Sequence, residues 1–133
     1  MQPGVVILIL KVAVIAVTVL WIGSLIALAS GNTKLHGRIN IAFFSLTLAA
    51  LLGLEVLVRL ISPGLFDNYQ HHAENAMLLH LIFSVPSAVL LFVMLFTGLK
   101  QQRQLHIAGG ILFSVLWTGT FITGIFFLRH ELP

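Results

Sequence analysis

Apolar residues fill four long stretches of this chain, and short polar breaks separate them. The first runs from about Val5 to Ala29 with Lys11 as its one charge, and Ser30, Gly31 and Asn32 end it. The second runs from about Ile39 to Ile61 and is closed by Ser62, Pro63 and Gly64. The third covers about Ala76 to Leu99, and the fourth about Ile107 to Leu128. A hydrocarbon core about 30 Å thick needs about 20 helical residues, so each stretch is long enough to span it. The pattern predicts an all-α membrane protein: a four-helix bundle running up-down-up-down, as one transmembrane domain over residues 1–133. Pro86 lies inside the third stretch, where it is expected to kink the helix and free the Ile82 carbonyl.

Composition agrees with the pattern. Of 133 residues 59% are hydrophobic and 8% charged, too few charges for the surface of a soluble domain of this size. With no Cys, disulfides, thiolate metal sites and Cys-anchored haem are excluded. The net charge of +3 does not indicate nucleic-acid binding, because the basic residues sit in short loops at span ends. Ala27, Leu28 and Ala29 resemble a signal-peptide cleavage site, but no positive region precedes the apolar run, so the first span is expected to be retained. Loops 30–38 and 100–106 carry Lys34, Arg38, Lys100 and Arg103 and no acid. Glu55, Asp67, Glu74 and Glu131 all fall toward the opposite face. The positive-inside rule therefore predicts cytoplasmic loops and both termini outside, in a cell (inner or plasma) membrane, with Arg129 as the main exception.

At an offset of 70 residues the chain weakly repeats itself. Leu35-His36 matches Leu105-His106; Ile41, Phe43 and Leu46 match Ile111, Phe113 and Leu116; and Arg59 matches Arg129. A duplication predicts two helical hairpins related by a pseudo-two-fold along the membrane normal. Spans two and four would then be diagonal, with His36 and His106 facing each other.

Ionisable residues inside apolar spans need a partner or a task. Lys11, Glu55, Arg59 and His80 share the outer half of the expected bundle. Glu55 and Arg59 are four apart and lie on one helical face. The simplest expectation is a buried charge cluster of Lys11, Glu55 and Arg59, in which Glu55→Gln would be strongly destabilising. The functional alternatives are a metal or haem ligand at His80, with Glu55 as co-ligand, a proton relay through Glu55, or a polar contact with a partner subunit. His72 is placed to cap that outer site, although His71 and His72 also read as solvated surface residues.

His36 and His106 form the symmetric pair. Each follows a Leu at the start of a span, with Gly37 and Gly109-Gly110 nearby. Two imidazoles on facing helices, with small residues beside them, suit the axial ligation of a b-type haem; two interfacial imidazoles at headgroup level are the plainer alternative. In the fourth span Ser114, Thr118, Gly119, Thr120, Thr123 and Gly124 suit close helix packing. Trp21 and Trp117 lie too deep for interfacial anchors and read as core or lipid-facing. No Gly-rich phosphate loop, HExxH or Ser/His/Asp arrangement is present, so hydrolytic catalysis is not expected.

The run from His36 to Leu128 resembles the CtaM/YozB-like family of small four-helix membrane proteins. The matching elements are His36 with Arg38 and Ala42-Phe43; the polar end of span two at Glu55 and Arg59; Leu79-His80 followed by Val85-Pro86; and His106 followed by Trp117 and Thr123-Gly124. The chain departs from the family in having Glu55 where an aromatic residue or His is expected, and in its short tail. The resemblance implies association with haem–copper oxidases. The expectation is therefore a non-catalytic accessory subunit or assembly factor of a membrane respiratory or redox complex. It would contact lipid and other membrane subunits, not nucleic acid, and would hold haem b or copper if it holds a cofactor. The alternatives are a small b-type cytochrome carrying electrons through His36 and His106, and a purely structural subunit.

Overall fold

Four helices follow one another with short connections: α1 (Pro3–Ala29), α2 (Thr33–Val56), α3 (Asp67–Leu99) and α4 (Arg103–Ile122). The structure, a computed structural model, describes residues 2–130, apart from the side chains of residues 70–73. The segments Pro3–Ala29, Thr33–Ile61, Glu74–Leu99 and Arg103–Phe127 are each long and apolar enough to cross a bilayer. The chain is a multi-pass, all-α membrane protein. Glu131 lies outside the described residues, as do the His71 and His72 side chains.

Three helices begin earlier than the apolar pattern predicts, at Thr33, Asp67 and Arg103. Hydropathy marks the hydrocarbon, whereas a helix continues into the headgroup region until a cap or turn stops it. Pro3 occupies the first turn of α1, where its missing N–H costs nothing. Asn32 caps α2 by accepting from the Leu35 amide at 3.1 Å. Through Pro86, α3 runs unbroken, and the nearby Phe83 carbonyl accepts from the Ser87 hydroxyl at 2.8 Å.

The repeat is present in the backbone. In the first turn Ser30 N donates to Ile26 O at 2.9 Å and Asn32 N to Ala27 O at 2.9 Å. Seventy residues on, Lys100 N donates to Phe96 O at 3.0 Å and Gln102 N to Thr97 O at 2.9 Å. Asn32 (φ −90°, ψ 76°) and Gln102 (φ −83°, ψ 78°) adopt the same conformation. The turn needs a left-handed residue, which is Gly31 (φ 82°) in one copy and Gln101 (φ 55°) in the other. A side chain in that region costs roughly 1–2 kcal/mol, so Gln101→Gly is expected to stabilise the protein by about 1 kcal/mol in equilibrium unfolding. Gly31→Gln should do the reverse.

Equivalent residues also touch each other. The rings of Phe43 and Phe113 lie 6.0 Å apart, and those of His36 and His106 lie 6.5 Å apart. A residue can meet its own repeat mate only at the pseudo-two-fold axis, so that axis passes between α2 and α4. Around it Trp117 stacks on Phe113 (5.7 Å, 17°) and meets Phe43 edge-on at 5.2 Å. Val17 and Leu91 complete this buried core, and Trp117 Nε1 donates to Thr18 Oγ1 at 3.1 Å. Trp21 packs against the same core.

The copies diverge at the terminal end. Both α2 and α4 finish in a wide π-helical turn, Leu57–Ile61 and Thr123–Phe127, closed by Ser62 N to Leu57 O and Leu128 N to Thr123 O. These turns are 66 residues apart rather than 70, so the second hairpin is about one helical turn shorter. A smaller core of Ile7, Tyr69 and Leu128 fills this end. Burial pushes the Tyr69 phenol above its ordinary range, and the backbone of Arg129 opposes that shift without completing a hydrogen bond.

Candidate functional site

The loop end of the bundle holds the most organised polar cluster among the described residues. His36 lies near the start of α2, opposite Ser24 of α1, because Ser30 to Asn32 reverse the chain tightly enough to bring the two into register. Its Nδ1 lies 3.0 Å from the Ser24 carbonyl and 2.7 Å from Ser24 Oγ. Ser24 Oγ donates to Asn40 Oδ1 at 2.5 Å, and Asn40 Nδ2 lies 3.1 Å from His36 Nε2. These contacts fix the protons. A hydroxyl has one proton, and Ser24 spends it on Asn40, so His36 Nδ1 is the donor and Nε2 accepts from the Asn40 amide. The ring of bonds closes on itself.

His106 is held by the same logic from the other hairpin. Thr97 Oγ1 donates to Met94 O at 3.2 Å and contacts His106 Nδ1 at 3.1 Å. Thr97 therefore accepts from His106 Nδ1–H, and the Nε2 lone pair of His106 is left over. Among the described residues no hydrogen bond reaches it. The ring can approach α3 closely because residue 98 is Gly, where a Cβ would lie 3.1 Å from His106 Cε1. The two imidazole planes stand at 86° to each other.

Gly109 and Gly110, which could have cleared space for a haem, are used otherwise. Met94 packs on both, with Sδ 3.0 Å and Cε 3.2 Å from where their Cβ atoms would be. The Phe43 and Phe113 rings fill the bundle centre about 10 Å deeper, seven residues along each helix from the histidines, and Trp117 lies one turn further on. The space beside Gly109 and Gly110 that the haem expectation calls on is taken by the Met94 side chain.

His80 has the same kind of anchor at the opposite end. Its Nδ1 contacts Thr123 Oγ1 at 2.9 Å, and Thr123 Oγ1 donates to Gly119 O at 2.7 Å. Gly124 lies under the ring as Gly98 lies under His106, with a Cβ position 3.1 Å from His80 Cε1. His80 precedes Thr97 by 17 residues and Thr123 follows His106 by 17, so antiparallel register makes the two anchors counterparts, about 25 Å apart along the axis. Between them Ser87 and Thr120 meet at 3.1 Å.

The charge cluster does not assemble. Glu55 and Arg59 do pair, at 2.5 Å, but on the outside of α2, with side chains 60% and 75% exposed respectively. Phe43 and Thr47 mark the buried row of that helix, and Leu54 continues it as partly buried. Glu55 is one residue further round, about 100° away, and so faces outward. Lys11 instead meets His130, Nζ to Nδ1 3.3 Å. The pair lies within the Thr33–Ile61 span and faces away from the bundle, so Glu55→Gln, which leaves Arg59 without its partner, is expected to lower thermal stability in lipid bilayers. Of the expected metal set His80, Glu55 and His72, Glu55 faces outward and the His72 side chain lies outside the described residues; among those described no three His, Cys, Asp or Glu converge.

Sequence reading missed Ser24, Asn40, Thr97 and Met94. Asn40 carried a signal, being four residues after His36 and hence on its face. The others come from facing helices and needed the hairpin register. No family model, curated protein or solved structure matches the chain. Fold and site together define a small four-helix membrane protein with an interhelical imidazole pair.

Proposed function

We propose that the chain is a non-catalytic accessory component, an assembly factor or small subunit, of a membrane redox complex, and that the His36–His106 pair is its working site. One observation carries this reading: two imidazoles with fixed tautomers meet at 6.5 Å where equivalent hairpins converge. Anchoring of Nδ1 by a hydroxyl or carbonyl is how proteins prepare Nε2 for ligation. Charge compensation does not explain the pair, because no acid is near it among the described residues. The resemblance of residues 36–128 to the CtaM/YozB-like family supports the same reading. The exposed basic side chains Lys34, Arg38, Lys100 and Arg103 surround this end, which suits a cytoplasmic face with both termini outside, in a cell membrane.

The test is genetic and biochemical. Deleting the chain should lower the activity or amount of a membrane redox complex, and an affinity-tagged copy should co-purify with subunits of that complex. A deletion strain with every membrane redox activity at the parental level would contradict the proposal. The cytochrome alternative predicts a Soret band lost in His36→Ala.

A further inference from the structure

We propose that His36, His106 and Met94 form a binding site for a soft monovalent transition-metal ion, copper(I), at the loop end of the bundle. This rests on the reading of the imidazole pair as the working site and names its ligand. The spacing fits first. Metal–imidazole bonds of about 2 Å place two ring centroids about 6 Å apart in a linear imidazole–metal–imidazole unit, and the centroids here are 6.5 Å apart.

The donor atoms fit next. His106 Nε2 carries an unused lone pair, because Nδ1 donates to Thr97. His36 Nε2 is held only by the Asn40 amide, a neutral group that an ion displaces while Asn40 keeps its bond to Ser24. Met94 supplies the third donor. Its sulfur lies against Gly109, one turn along α4 from His106, and its backbone carbonyl anchors the Thr97 hydroxyl that holds His106. Met is the most adaptable of apolar side chains, and rotation about its unbranched stem brings the thioether to the imidazoles.

Charge and softness select the ion. The donor set is wholly neutral: two imidazoles and a thioether, with no thiolate in the chain and no acid in the cluster. A divalent ion would keep two uncompensated charges close to the bilayer, beside Lys34, Arg38, Lys100 and Arg103. A monovalent ion halves that charge, and copper(I) accepts two or three soft donors, with thioether among those that select it.

The experiment is an anaerobic competition between purified full-length protein in detergent micelles and a chromogenic copper(I) chelator. The wild type is expected to withdraw one copper(I) per chain. His36→Ala and His106→Ala should withdraw none under the same conditions, and Met94→Leu should bind about tenfold more weakly. Asn40→Ala, which frees His36 Nε2, should bind as tightly or more tightly; a loss of binding there would assign the cluster to structure alone. Far-UV circular dichroism confirms that each variant stays helical. No copper withdrawn by the wild type, undiminished binding by His106→Ala, or equal affinity for zinc(II) would overturn the proposal. Failure of the accessory reading is separate, since it shows as an unaffected redox complex whether or not copper binds.

Discussion

Replacing Trp117 with Ala is expected to lower the unfolding free energy by about 3 kcal/mol, at the low end of the range for deleting a large aromatic from a core. The low end is chosen for a physical reason. Lipid tails are as apolar as the bundle interior, so little transfer free energy is lost, and the cost comes from vanished packing. Trp117 gives up a stacked contact with Phe113, an edge contact with Phe43 and a hydrogen bond to Thr18. Thr18 is then left with an unmade bond in an apolar layer. Equilibrium unfolding in mixed lipid–detergent micelles measures the effect. Phe126→Ala is the control, because Phe126 is 70% exposed and faces away from the bundle.

Gly119→Ala is expected to destabilise by about 1–3 kcal/mol, the usual cost of forcing an extra methyl into a packed interface. A Cβ at position 119 would overlap the ring of Phe83, which lies directly over the α4 backbone there. One turn along α3 the Ser87–Thr120 contact at 3.1 Å ties the same two helices together. Elsewhere the same substitution should be harmless. At Gly53 nothing lies within 4 Å of an added Cβ, and Ala's better helix propensity, up to about 1 kcal/mol, acts alone. Opposite signs at the two glycines, measured by thermal unfolding in the same micelles, would establish the close approach of α3 and α4.

These contrasts show what the sequence carried and what it did not. Span positions were legible, because long apolar runs have one stable destination. Their starting residues were not, because helices at Thr33, Asp67 and Arg103 extend past the hydrocarbon that hydropathy measures. The 70-residue offset anticipated the meeting of His36 with His106, and the same axis brings Phe43 to Phe113, since a repeat fixes which positions share it. Glu55 was misread for the opposite reason: depth along a span can be counted from sequence, but the direction a side chain faces depends on which row of the helix packs. Met94 was invisible as anything but an apolar residue. Its relation to His106 runs through Thr97 on α3 and Gly109 on α4, and only the fold brings those together.

The proposed function rests on the imidazole pair as the part of this protein that works for a larger redox complex. The most direct measurement replaces the cell's own copy with His106→Ala, and follows both the amount of the chain in membranes and the specific activity of the complex it serves. The variant is expected to accumulate at the parental level, since His106 lies at the edge of the core and not in it. The activity is expected to fall as far as it does when the whole chain is deleted. Full activity with His106→Ala, in membranes where deletion abolishes it, would contradict the central claim and leave the pair a packing contact.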